Sequence, residues 1–121
     1  MITFNDFQKV EIKVGTILSA EKVEGSEKLL KISVDFGESA PRQVISGIAK
    51  TFPPTGGLEK IIGKQFLFVT NLEPRAIMGL ESQAMILAAH KPNKKRPAGE
   101  TSEEIVLMKP TKKVPSGSKL G

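Results

Sequence analysis

A small all-β domain, a five-stranded barrel with short helical turns, is the fold class this sequence predicts. Three observations carry it. Apolar and polar residues alternate with a period of two along two separate stretches, as in strands with one buried face. The stretches are divided by segments rich in Gly, Pro and Ser, which are turn residues. A single helical turn falls between the third and fourth candidate strands, at Leu58–Ile62.

Residues 1–9 read as a short N-terminal arm in which Thr3 or Asn5 can cap a helical turn. Val10, Ile12, Val14, Leu18 and Ala20 then occupy even positions, with Lys9, Glu11, Lys13, Ser19 and Glu21 at odd ones. This is a long strand with one buried face, and Gly15 is where it can bend or carry a bulge. After the turn Glu24–Glu27, Leu30, Ile32, Val34 and Phe36 alternate with Lys31, Ser33 and Asp35 in the clearest strand of the chain. Gly37–Pro41 turns, and Arg42–Ile48 makes a third strand. Thr51–Gly57 is a loop, and Leu58–Ile62 is a helical turn closed by Gly63. Gln65–Thr70 is apolar at both parities, as in a central strand, and Ala84–Ala89 is a fifth strand after the loop Leu72–Gln83. Residues 91–102 read as a mobile basic loop, with short strands at Ile105–Met108 and around Val114. Five strands with a helical turn after the third fit an OB-fold, a Greek-key barrel. Sandwiches and SH3-like barrels fit the same count.

Length and composition exclude several classes of function. A chain of 121 residues, 39% hydrophobic and 26% charged, makes one ordinary globular domain. Without cysteine there is no disulfide, thiol nucleophile or thiolate metal site, and His90 alone cannot furnish a histidine-based metal site. Neither a metal nor any other cofactor is expected, and no constellation for catalysis stands out. No apolar run approaches the roughly 20 residues of a membrane span. The start M-I-T-F-N-D-F is unlike a signal peptide, so a cytoplasmic location is expected.

Charge is unevenly distributed. Through His90 ten Lys/Arg balance ten Asp/Glu; from Lys91 onward eight Lys/Arg face three Glu, which accounts for the whole net charge of +5. A localised basic region is the electrostatic footprint of a polyanion binder, although a solvated tail looks the same. OB-folds bind nucleic acid on the face of strands two and three and on the loops after strands one and four. Those regions hold Lys22, Ser26, Lys28, Lys31, Arg42 and Gln43, then Asn71, Arg75, Ser82 and Met85. Lys and Arg neutralise phosphates, Arg with a two-pronged grip. Asn and Ser can read a base edge or a ribose hydroxyl. Plainer roles compete: Asn71 as a turn residue before Pro74, Met78 and Met85 as core fillers, Gly79 as a positive-φ turn. There is no Tyr or Trp, and the six Phe fall mostly on buried parities, which argues against recognition by base stacking.

The run Asn71–Met85, N-L-E-P-R-A-I-M-G-L-E-S-Q-A-M, resembles the signature of the tRNA-binding domain family. That family occurs at the C-terminus of many methionyl-tRNA synthetases and as free-standing tRNA-binding proteins and synthetase-associated factors. Asp6-Phe7, Lys9–Ile17, Ser26–Leu30, Arg42–Ile48 and Val114–Leu120 match further motifs, so the resemblance spans nearly the whole chain. Two departures are present: Val23–Ser26 replaces a His-Pro in the first loop, and Ser82-Gln83-Ala84-Met85 replaces Ser-x-Gly-Met. The resemblance implies an OB-fold over residues 10–90 with a 91–121 extension that forms a homodimer. It implies binding of folded tRNA by shape and backbone charge, without catalysis, in the service of a methionyl-tRNA synthetase catalytic chain. The site residues expected are Lys28, Lys31, Arg42, Asn71, Arg75, Ser82 and Met85. Secretion-type chaperones share the fold and the opening D-F-x-K, and binding of unfolded polypeptides is the alternative.

Overall fold

The structure, a computed structural model, describes residues 1–92 and 103–121. The basic residues Lys94, Lys95 and Arg96 of the expected loop lie outside the described residues. Helix α1 (Phe4–Gln8) starts with a full capping box. Asp6 N–H donates to the Thr3 hydroxyl at 3.1 Å, and Thr3 N–H donates back to the Asp6 carboxylate at 3.4 Å.

Strand β1 (Ile12–Lys22) serves both halves of the barrel. Its first part pairs with β4 (Gln65–Val69) from Ile12↔Val69 to Thr16↔Gln65. Its second part pairs with β2 (Leu30–Asp35) from Thr16↔Asp35 to Lys22↔Leu30. β2 pairs in turn with β3 (Arg42–Ser46). The long first strand is therefore present, but its irregularity lies between Ile17 and Ser19, not at Gly15. One inserted residue moves the following side chains to the opposite face. Before the bulge the odd positions Gly15 and Ile17 face the core and Leu18 is 50% exposed, the reverse of the even-position alternation; beyond it the even residue Ala20 packs on the core. Gly15 has a different role. A Cβ there would stand 2.5 Å from Val34 Cγ1 and 2.6 Å from Phe36 Cε1, so the core closes directly over its backbone.

Leu30, Ile32, Val34 and Phe36 all point inward, and Phe36 meets Phe68 edge-to-face with ring centroids 5.2 Å apart. A 3-10 turn at Leu58–Lys60 precedes Ile61, which is buried in the same core. The segment after β4 forms a hairpin of β5 (Arg75–Ile77) and β6 (Leu80–Ser82). Its two-residue turn has Met78 at φ 49° and Gly79 at φ 79°, both in the left-handed region that right-twisted hairpins require. Gly79 thus has the turn role expected of it.

The expected fifth strand at Ala84–Ala89 is divided. β7 (Met85–Ile86) pairs with β4, while β8 (Ala88–Pro92) leaves to pair with β9 (Glu103–Leu107). The sheet order β3-β2-β1-β4-β7 leaves β3 and β7 as its two edges, and backbone and side-chain bonds from Ser82 and Gln83 close the gap beside β3. Gln43 N–H donates to Gln83 Oε1 at 2.9 Å, Gln83 N–H donates to Gln43 O at 2.8 Å, and Ile45 N–H donates to Ser82 Oγ at 3.0 Å. The result is a nearly closed five-stranded OB-type barrel.

Residues 103–121 return onto this barrel. Ile105 and Leu107 pack against its core, and Met108 bridges Leu67 and Leu87 through its backbone. Part of the extension expected to form a homodimer therefore packs on the barrel itself.

Candidate nucleic-acid interface

The β5–β6 hairpin and β7 frame a groove of about 240 Å³ against the end of β3. Arg75 and Met85 stand on its rim, with Ile45, Ser82 and Ile86 at its walls. Arg75 is exposed and forms no ion pair among the described residues, even though Glu73 and Glu81 lie close in sequence. Met85 is 47% exposed, so it is a surface residue and not a core filler. Lys28 is exposed in the loop after β1, and its carbonyl accepts a hydrogen bond from Ala49 N–H beside Gly47 of the same groove.

A second groove, about 450 Å³, runs over β1, β2 and β3 between Lys31 and Arg42. Neither cation is idle. Lys31 Nζ lies 2.7 Å from Glu21 Oε1. Arg42 grips Glu38 with two bonds of 2.8 and 2.7 Å and donates to the carbonyls of Thr70 at 2.6 Å and Gln83 at 3.3 Å. Its guanidinium also lies 5.4 Å from the Phe36 ring centroid. Arg42 ties β3 to the ends of β4 and β6.

Two more of the expected site residues are engaged in the fold. Asn71 accepts from Glu11 N–H at 2.8 Å and donates to Lys9 O at 2.6 Å, fastening the start of β1 to the loop after β4. Ser82 is buried. Its hydroxyl accepts the Ile45 N–H and donates to Ala84 O at 3.1 Å. The structure therefore brings Arg75 and Met85 to one groove, with the Lys28 carbonyl near its Gly47 edge, and Lys31 and Arg42 to another, with Asn71 and Ser82 acting as struts. Of the six Phe, Phe36, Phe66 and Phe68 are buried, whereas Phe4 and Phe7 are exposed on α1 and line neither groove.

Two carboxylates are shifted by these contacts. The Thr70 hydroxyl, donating at 2.7 Å, holds Glu11 below its ordinary value of 4.5, and the Arg42 fork does the same for Glu38. A carboxylate with a depressed folded pKa contributes stability that is complete above its unfolded value and is lost as pH falls through the folded one. Thermal stability is therefore expected to decline on acidification below about pH 4.5, and Glu38→Gln should flatten that decline. An unchanged pH profile in the variant would contradict the coupling.

A barrel of this topology, with a groove rimmed by an exposed arginine, is an OB-type binding module. The family model described as "Putative tRNA binding domain" matches residues 12–119, and the chain belongs to that family. It is 42% identical over 117 residues to the methionine–tRNA ligase of Methanothrix thermoacetophila, covering 97% of this chain and 15% of that protein. The methionine–tRNA ligase of Caldanaerobacter subterraneus subsp. tengcongensis is 44% identical over 119 residues, covering 98% and 16%. The chain thus spans about a sixth of the length of these relatives. Among solved structures, a MetRS-related protein from Pyrococcus horikoshii superposes with a TM-score of 0.80 at 33% identity, covering 100% of this chain and 98% of that one. The chaperone CsaA of Bacillus anthracis superposes with a TM-score of 0.74 at 26% identity, covering 100% and 99%.

Proposed function

We propose that this domain binds folded tRNA through backbone charge and shape and so raises the tRNA affinity of a methionyl-tRNA synthetase. The observation that carries the reading is Arg75, exposed and without an ion pair among the described residues, on the rim of the hairpin groove, in a chain of the tRNA-binding domain family. Its guanidinium is free to grip a phosphate, Lys28 adds charge nearby, and Met85 offers an apolar surface to a ribose or base. No aromatic side chain lines either groove, which favours recognition of overall shape over base stacking. The domain works by binding and not by catalysis. A weakly specific contact of this kind helps a linked or paired catalytic body by raising effective concentration. The cytoplasm is the compartment where such a partner works, and among the described residues no helix is long and apolar enough to cross a membrane.

A homodimer is part of the proposal. Ile2, Phe4 and Phe7 of the N-terminal arm are 71%, 72% and 46% exposed, and Val106 is 40% exposed, which leaves apolar surface for a second copy. Sedimentation at micromolar concentration should give twice the 13.1 kDa chain mass.

Gel-shift titration with folded tRNA, unfolded tRNA and a hydrophobic peptide tests the main reading. Folded tRNA should bind best, with a log–log salt slope of roughly −4 to −5 for four to six phosphate contacts. Preference for the peptide would instead favour a chaperone activity, the reading supported by the likeness to CsaA. A flat salt dependence would refute the electrostatic mechanism.

A further inference from the structure

A cleft of about 450 Å³ at the start of β4 brings together Lys60 and Lys64 from the barrel and Lys109, Lys112 and Lys113 from the C-terminal segment. All five are exposed, no carboxylate lines the cleft, and none of the five forms an ion pair among the described residues. Such a convergence costs repulsion between like charges, and the chain holds it in place at both ends. On one side Leu67 N–H donates to Met108 O at 3.0 Å. On the other, the Gln65 amide clasps the Val114 backbone. Its Oε1 accepts Val114 N–H at 3.0 Å, while its Nε2 donates to Val114 O at 2.6 Å and to Thr16 Oγ1 at 3.2 Å. The segment Lys109–Lys113 is thus a bracket fastened across the mouth of the cleft.

The cleft lies at one end of β4, and the Arg75 groove follows the other. Five strand residues separate them, roughly 15 Å along the chain. We propose that the lysine cleft is a second phosphate-backbone subsite, occupied by a separate stretch of the same folded tRNA that meets the Arg75 groove. This rests on the tRNA-binding reading. Two anchors set apart on a rigid strand select an RNA whose folded shape presents phosphates at that separation. A single patch would accept any polyanion.

The test uses the full chain and two double variants from different segments, Lys112→Ala with Lys113→Ala and Lys60→Ala with Lys64→Ala. A charge-matched control, Lys9→Ala with Lys50→Ala, lies outside the cleft. Affinity for folded tRNA is measured across a salt series, with melting temperature as the folding check. Each cleft variant should reduce the magnitude of the log–log slope by about 1.8, the yield of two lost phosphate contacts. The control should change it by less than about 0.5. If the cleft variants keep the parent slope, or match the control, the subsite is refuted while tRNA binding stands. If the parent chain does not bind folded tRNA, the tRNA reading falls and this inference with it.

Discussion

Replacing Arg75 with alanine is expected to weaken folded-tRNA binding by about 1–3 kcal/mol, the range for a charge-assisted hydrogen-bonded contact. The melting temperature should stay nearly constant. The side chain is exposed and braces nothing, since Glu73 and Glu81 form no ion pair with it among the described residues. Exposed substitutions away from such contacts usually cost less than about 0.5 kcal/mol of stability. Ser82→Ala, seven residues further on in the same motif, should show the opposite pattern. It strands the Ile45 N–H in a buried seam and costs about 1–3 kcal/mol of stability. Affinity and melting temperature measured on both variants separate contact from scaffold. Unchanged affinity in Arg75→Ala would move the contact to Lys28.

Gly15→Ala should be the most damaging small change in the barrel. The added methyl would meet Val34 at 2.5 Å, Phe36 at 2.6 Å and Phe68 at 3.0 Å, three side chains already closed over the strand. Overpacking of this kind costs typically about 1–3 kcal/mol. The upper end is expected here, because Val34 and Phe68 are fully buried and have no free space to move into. Chemical denaturation of the variant checks it. A loss below about 0.5 kcal/mol would mean that β1 can shift outward at this point, contrary to its double pairing with β2 and β4.

What could be read from the sequence was whatever depends on near neighbours. The alternation Leu30-Ile32-Val34-Phe36 identified β2 and its buried face, and Thr3 or Asn5 marked a helix start, of which Thr3 is the cap. Motif resemblance supplied the barrel topology that strand counting left open. The bulge at Leu18 was hidden because one extra residue leaves no compositional trace, and Gly15 drew attention for the wrong reason. The fold bonds of Ser82 and Arg42 were not legible in the sequence, because a free polar side chain and a strut have the same composition. Their partners, Ile45 and Thr70, are 37 and 28 residues away. The C-terminal lysines were visible as charge, but their meeting with Lys60 and Lys64 depends on Gln65 clasping Val114, a contact 49 residues apart.

The β5–β6 hairpin has a consequence for local opening. Each of its strands is three residues long, and a two-stranded ribbon of that size has little stability of its own. The barrel strands share one core, whereas the hairpin is held to it mainly at its β6 end, through Glu81 and Ser82, so its tip from Arg75 to Leu80 can open at the cost of a few bonds. Amide hydrogen exchange should therefore divide this small domain into two tiers, with β1, β2 and β4 slow and Arg75–Leu80 fast. Because Arg75 sits on the fast tier, a bound RNA would register first as slowed exchange at the hairpin. The proposed contact rim would then be built on the part of the chain best able to adjust to a ligand.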